Sequence, residues 1–186
     1  MACTTKIAKA ITNDCDNKPS SNLEVKMWAL NRADAAFTLD GTKKALCTAI
    51  TMSGVTVAYP ITAIKKEADV GSSLVSQDNM PDSYKHSWSF QPYSREPEDI
   101  QAMDLMTDIV IIAELKGHKT EGCFVIMGLE TGLHKTGFTW KTKDNNGVPT
   151  YEFATRDGEE EQYSRYVFWD AGGYAATLAA LVALET

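Results

Sequence analysis

The sequence predicts a mainly β fold, a barrel or a sandwich, with one internal helix packed on it and a second helix at the carboxyl end. Three observations carry this. Several short segments alternate apolar and polar residues with a period of two, above all YKHSWSFQPY at 84–93. Glycine, asparagine and aspartate clusters punctuate those segments as turn signals, and helix formers recur at helical spacing in only two places. The 186 residues are 44% hydrophobic and 23% charged, the composition of a soluble domain, which argues against disorder, collagen-like repeats and low-complexity fibres. A single unit of this size buries roughly 70% of the surface of its unfolded chain, so it needs neither a disulfide nor a metal to fold.

Three regions are expected. Residues 1–22 are polar, rich in Asn, Asp, Ser and Thr, and contain Pro19, which reads as an extended amino-terminal arm. Residues 23–171 form the β body. Within it, EVKMWALN (24–31) places Val25, Met27 and Ala29 on one face with Trp28 and Leu30 on the other, as in a strand covered on both sides. LCTAITM (46–52) and VTVAYPI (55–61) flank Ser53-Gly54 and read as a hairpin, with Pro60 either placing the second strand at an edge or ending it. Residues 65–83 are the most polar internal stretch, with Val70, Leu74, Val75 and Met80 as its only anchors, and form a long loop or an extended hairpin projecting from the body.

The segment 84–93 puts Tyr84, His86, Trp88 and Phe90 on one strand face, which should be buried, and Lys85, Ser87, Ser89 and Gln91 on the other. Pro97 and the acids around it start a helix at about 96–107, with Ile100, Met103 and Met106 at helical spacing. DIVIIAELK (108–116) and CFVIMGLE (123–130) form a buried hairpin pair. The segments flanking Asn146-Gly147 form a second, because the turn that matches strand twist needs positive φ at both central residues. A strand with Tyr166 and Phe168 on one side follows. The chain ends at 172–186 in a helix whose stripe is Tyr174, Leu178, Leu181 and Val182, expected to pack on the β body.

Catalytic groups do not converge along this sequence. His86 lies on the aromatic strand face, as a core histidine does, and His118 and His134 read as solvated. No G-x-S-x-G elbow or phosphate-cradling glycine loop is present, and G-L-E-T-G-L (128–133) opens no helix. Glu159, Glu160 and Glu161 are consecutive and point to alternating sides, which reads as a solvated rim. Asp14, Asp16 and Asn17 lack the glycine and distal glutamate of a calcium loop, and the four cysteines contain no CxxC pair, so no metal site, cofactor or catalytic residue is assigned. The amino end has no signal-peptide stretch, and no run suits a membrane helix, so the chain is expected to act without a membrane anchor after synthesis in the cytoplasm.

What remains concerns assembly. An arm, a long projection and an apolar terminal helix each offer surface that another copy can bury, which makes Asp14, Asp16, Asn17, Val70, Leu74, Val75, Met80, Leu178, Leu181 and Val182 the candidate assembly residues. Asp14-Cys15-Asp16-Asn17 before Pro19, the Tyr84–Phe90 strand, Val110–Glu114 with Lys116-Gly117, and Phe124–Leu133 come in an order that resembles the tail tube proteins of Bacteroidales phages, the crAss-like group and related prophages. That resemblance spans about two thirds of the chain by order rather than by a catalytic motif.

The resemblance implies a non-enzymatic virion subunit. Such subunits join edge to edge in hexameric rings, and the rings stack, with other tail proteins, into a tube through which DNA passes without being held. The inner tube of a contractile injection machine shares that architecture. A small β-sandwich ligand-binding module, with Tyr84, Trp88, Trp140 and Trp169 as aromatic platforms, is the alternative from a different class. The formal charge of −7 argues against gripping nucleic acid and is compatible with conducting it.

Overall fold

Period-two patterning decides which side chains of each strand meet, and here it sorts the chain into three layers. In the computed structural model, the described residues are 22–64, 67–77, 80–94, 96–117, 119–143 and 147–186. The amino-terminal arm therefore falls outside the described residues, except for Asn22. Among them run β1 (Leu23–Asn31), β2 (Ala35–Leu39), β3 (Leu46–Met52), β4 (Tyr59–Thr62), β5 (Asp69–Gln77), β6 (Met80–Phe90), α1 (Pro97–Leu105), β7 (Ile109–Leu115), β8 (Phe124–Met127), β9 (His134–Thr139), β10 (Thr150–Ala154), β11 (Tyr166–Phe168) and α2 (Tyr174–Ala183). Seven strands form one sheet in the order β2-β3-β11-β8-β7-β1-β4, and four form another in the order β5-β6-β10-β9. The protein is mainly β, a sandwich of two sheets with one internal and one terminal helix.

The seven-stranded sheet is apolar on both faces. Met27, Ala29, Ile109, Ile111, Ala113, Val125 and Met127 meet Trp88, Phe90, Tyr151 and Phe153 of the smaller sheet. Trp28, Leu30, Val110, Ile112, Phe124, Ile126, Tyr166 and Phe168 form the opposite face with Leu181 of α2. This is why β7 and β8 read as continuous apolar runs, whereas β6 alternates. Aromatic rings carry the first interface. Trp88 and Phe90 stack at 4.3 Å, and Phe153 lies 5.1 Å from Trp88 across the β6–β10 ladder.

Several expectations need correction. Ser53-Gly54 does make a turn, with Gly54 at φ +64, but not a hairpin. β3 pairs with β2 and with β11, while β4 pairs with β1, because the Ala58 amide after the turn donates to Leu184 O at the end of α2 (2.7 Å) and draws the chain across the sheet. Pro60 does lie in an edge strand. Within 65–83 the described residues take the hairpin alternative: β5 pairs along nearly the whole of β6, from Asp69↔Ser89 to Gln77↔Met80. β2 was not anticipated, although Ala35, Phe37 and Leu39 alternate ahead of Asp40-Gly41. In α1 only Met103 is buried, while Ile100 is exposed.

The stripe of α2 is also rotated from expectation. Its inward side is Tyr174, Thr177, Leu178, Leu181 and Leu184, and Val182 is 45% exposed. Thr177 sets that rotation, since its hydroxyl accepts from Asp170 N–H at 2.9 Å and donates to Gly173 O at 2.9 Å. Glu185 locks the far end by accepting from Trp28 Nε1 (2.7 Å) and Lys26 Nζ (2.6 Å).

Candidate functional site

The small sheet carries the features that reach outward. Residues directly opposite in a ladder share a face, so Val70, Ser72 and Leu74 lie on the inner side with Trp88, His86 and Tyr84. Val70 is half-buried and packs on the core between the sheets. Leu74 occupies the same face two pairs further out and is 57% exposed, so by that point the hairpin has left the cover of the larger sheet. Beyond the Leu74↔Tyr84 pair the hairpin continues for three more residues of β5, to Gln77↔Met80, about 10 Å at strand rise.

The outer side of this sheet is small and polar. Asp69, Ser89 and Glu152 align across three strands, with Gly71 beside Ser87 and Ser73 beside Lys85. Gly137 completes the first row, where an added Cβ would come within 2.5 Å of a Glu152 carboxylate oxygen, so the glycine makes room for that side chain. Asp69 and Glu152 against Lys85 leave this face weakly negative. At one edge runs β5, DVGSSLVSQ, with no proline and no charge after Asp69. Natural edge strands are normally blunted by lysine, proline, bulges or brevity, because an open row of N–H and C=O groups templates pairing with another chain. β4, at an edge of the larger sheet, has Pro60 and four residues. β5 has nine residues, and its one register shift lies near the hairpin tip, between Val75 and Gln77.

The candidate residues therefore separate. Leu74 is exposed, Val75 is half-buried on the outer side, and Met80 opens β6 in the same hairpin. Leu181 is fully buried and Leu178 packs against the body, so these two belong to the protein's own core, leaving only Val182 of that group at the surface. Asp14, Asp16 and Asn17 lie outside the described residues. His86, Trp88 and Phe90 are at most 1% exposed, and Tyr84 is half-buried. Of the four aromatic residues considered as a platform, Trp88 and Trp169 pack in the core. Only Trp140 is largely exposed, with its Nε1 donating to Gly147 O at 2.9 Å.

Beneath the hairpin lies a polar cluster that patterning did not reveal. His86 Nδ1 accepts the Gly128 amide at 3.0 Å, which requires that nitrogen to be unprotonated, so Nε2 bears the hydrogen that it donates to Tyr163 O at 2.9 Å. Both ring nitrogens are committed, and neither is left to take a substrate proton. Burial pushes the His86 imidazole below its ordinary range, against the pull of Glu161. Glu161, read as part of a solvated rim, is instead fully buried: its carboxylate accepts from the Glu130 amide, the Thr131 amide and the Thr131 hydroxyl at 3.0 to 3.1 Å. Burial and the carboxylates of Glu130 and Glu161 push the Tyr166 hydroxyl far above its usual range.

Burial likewise pushes the Cys47 and Cys123 thiols up to about 11, so both stay protonated and unreactive. Among the described residues, no group of three or more His, Cys, Asp or Glu side chains is placed to hold a metal ion, and no helix is long and apolar enough to cross a membrane. No family model, curated protein or solved structure matches this chain.

Proposed function

We propose that this chain is a non-enzymatic, self-assembling subunit of a phage tail tube. Its copies close into rings, hexameric in the related architecture, and the rings stack into a channel in the virion tail that passes DNA. The inner tube of a contractile injection machine is the same assembly in another setting. One observation supports this reading above others, namely a long, unblunted strand, β5, which among the described residues lies at the edge of a sheet whose outer side is mostly polar and small-chained. Edge pairing around a closed ring satisfies such a row of backbone groups. With the small sheets side by side, the face of Ser73, Ser87, Ser89, Lys85, Asp69 and Glu152 lines the channel. A serine-rich, weakly negative lining offers phosphate little to bind, whereas a basic one retains DNA through counterion release.

The test is the assembly state of the purified protein by negative-stain microscopy and sedimentation. Rings or tubes are expected, and a strict monomer at high concentration overturns the reading. Leu74→Lys is the discriminating variant. It adds the lysine that edge strands ordinarily carry at a site 57% exposed, so thermal stability should stay within about 0.5 kcal/mol of the parent while assembly is lost. Removing the whole of 70–80 is a poorer experiment. It takes away most of β5 and with it the Val70 side chain that packs on the core beside Trp88. Replacing 75–83 with an Asn-Gly turn shortens the projection and keeps the Leu74↔Tyr84 pair.

A further inference from the structure

The base of the hairpin is tied to the segment that follows β10. Tyr84 and Glu161 exchange two main-chain bonds of 2.8 Å, Thr155 N–H donates to His86 O at 3.0 Å, and His86 N–H reaches Thr155 Oγ1 at 3.2 Å. The side chains of the same two residues, His86 and Glu161, then hold the β8–β9 loop through the Gly128, Glu130 and Thr131 amides. The Glu130 carboxylate returns the contact by accepting from Gln162 N–H at 3.1 Å. Three segments far apart in sequence thus meet at one imidazole.

We propose that His86 is an acid-released lock: neutral, it fastens the hairpin base to the β8–β9 loop, and protonation releases that loop and loosens the hairpin. The balance is in the hydrogen count. A proton on Nδ1 turns the acceptor of the Gly128 N–H into a donor, and two donors 3.0 Å apart cannot bond. The groups facing the ring are Glu161, and Tyr163 by its carbonyl, from the segment after β10, Glu130 from the β8–β9 loop and Tyr166 from β11. Arg32, whose Nη1 donates to Glu130 O at 3.3 Å, also holds the loop, and its positive charge acts on Glu161. The two carboxylates attract a proton, but the ring is fully buried and the Gly128 amide occupies the site where the proton would go. The lock belongs to the single chain and stands whether or not copies assemble. In an assembly it makes the pose of the projecting hairpin sensitive to acid.

Hydrogen exchange tests it on the intact protein. Between the ordinary histidine pKa of about 6.5 and the lower native value, the opened state binds one more proton than the closed state. Protection at Gly128, Glu130, Thr131 and Glu161 should therefore fall about tenfold per pH unit, while Ile111 and Ile112 of β7 keep theirs. His86→Gln supplies an acceptor and a donor that do not titrate, and it should remove the pH step. Unchanged protection in acid overturns the proposal, as does an equal loss in His86→Gln. If that variant folds poorly, imidazole NMR of the parent decides. Titration of His86 coincident with loss of Gly128 protection supports the lock, and titration without it overturns it.

Discussion

Trp88→Ala lowers stability by about 3 to 5 kcal/mol, on the order of 10 °C in melting temperature for a chain of this size. Trp88 is 1% exposed and is the side chain around which the sheet interface is built. It stacks on Phe90 at 4.3 Å, contacts Phe153 at 5.1 Å and stands opposite Val70 in the β5–β6 ladder. Truncation leaves a cavity that two sheets anchored by their own ladders cannot close. Trp88→Phe should cost much less than Trp88→Ala. Among the described residues the buried indole Nε1 has no hydrogen-bond partner, so removing it relieves a desolvated donor and offsets part of the lost volume. Urea titration of both variants checks the ordering, and equal losses for the two would contradict it.

Gly132→Ala is expected to cost about 2 to 4 kcal/mol, although it adds one methyl group. Gly132 has φ +80, and a Cβ there falls 2.0 Å from Asp108 Oδ1 and 3.2 Å from Arg32 Nε. Those two side chains form a bidentate pair, Nε to Oδ1 at 2.7 Å and Nη2 to Oδ2 at 3.2 Å, and Asp108 itself sits at φ +52. The methyl therefore opposes both a left-handed backbone and an ion pair. Both partners are about one third exposed, so solvent screens the pair, and most of the loss comes from backbone and sterics. Gly158→Ala is the control. It has φ +85 but nothing within 4 Å, so it should lose only the left-handed penalty of about 1 kcal/mol. Thermal melts of the two variants separate the contributions.

Much of the fold was legible because its signals are local. The Tyr84–Phe90 alternation named three residues of the core, His86, Trp88 and Phe90, before any partner was known. The continuous apolar runs at 109–115 and 124–127 marked a buried hairpin pair, and both faces of these strands are covered. The candidate site was less legible. Leu74 stood out as an apolar residue in a polar stretch, and it is exposed on the hairpin. Glu161 gave no signal. Among three consecutive glutamates it differs only in what surrounds it, and the amides that stabilise its carboxylate come from Glu130 and Thr131, some 30 residues away. Leu181 carried two readings, its own core and assembly, because an apolar helix stripe looks the same whether it covers its own body or a neighbour's, and it is fully buried in the core.

The sequence by itself determined the mainly β class, the position of both helices, the aromatic inner face of β6 and that Pro60 lies at an edge or ends its strand. Periods of 2 and 3.6, and the missing N–H of proline, act within a few residues. Only the tertiary structure decided which strands are neighbours. β11, late in the chain, enters the large sheet between β3 and β8, parallel to one and antiparallel to the other. It also decided which glutamate is buried, which way α2 is turned, and that β5 is the outermost described strand of its sheet. Each of these depends on backbone hydrogen bonds and burial between segments distant in sequence, and no local pattern encodes a partner that the chain meets only on folding.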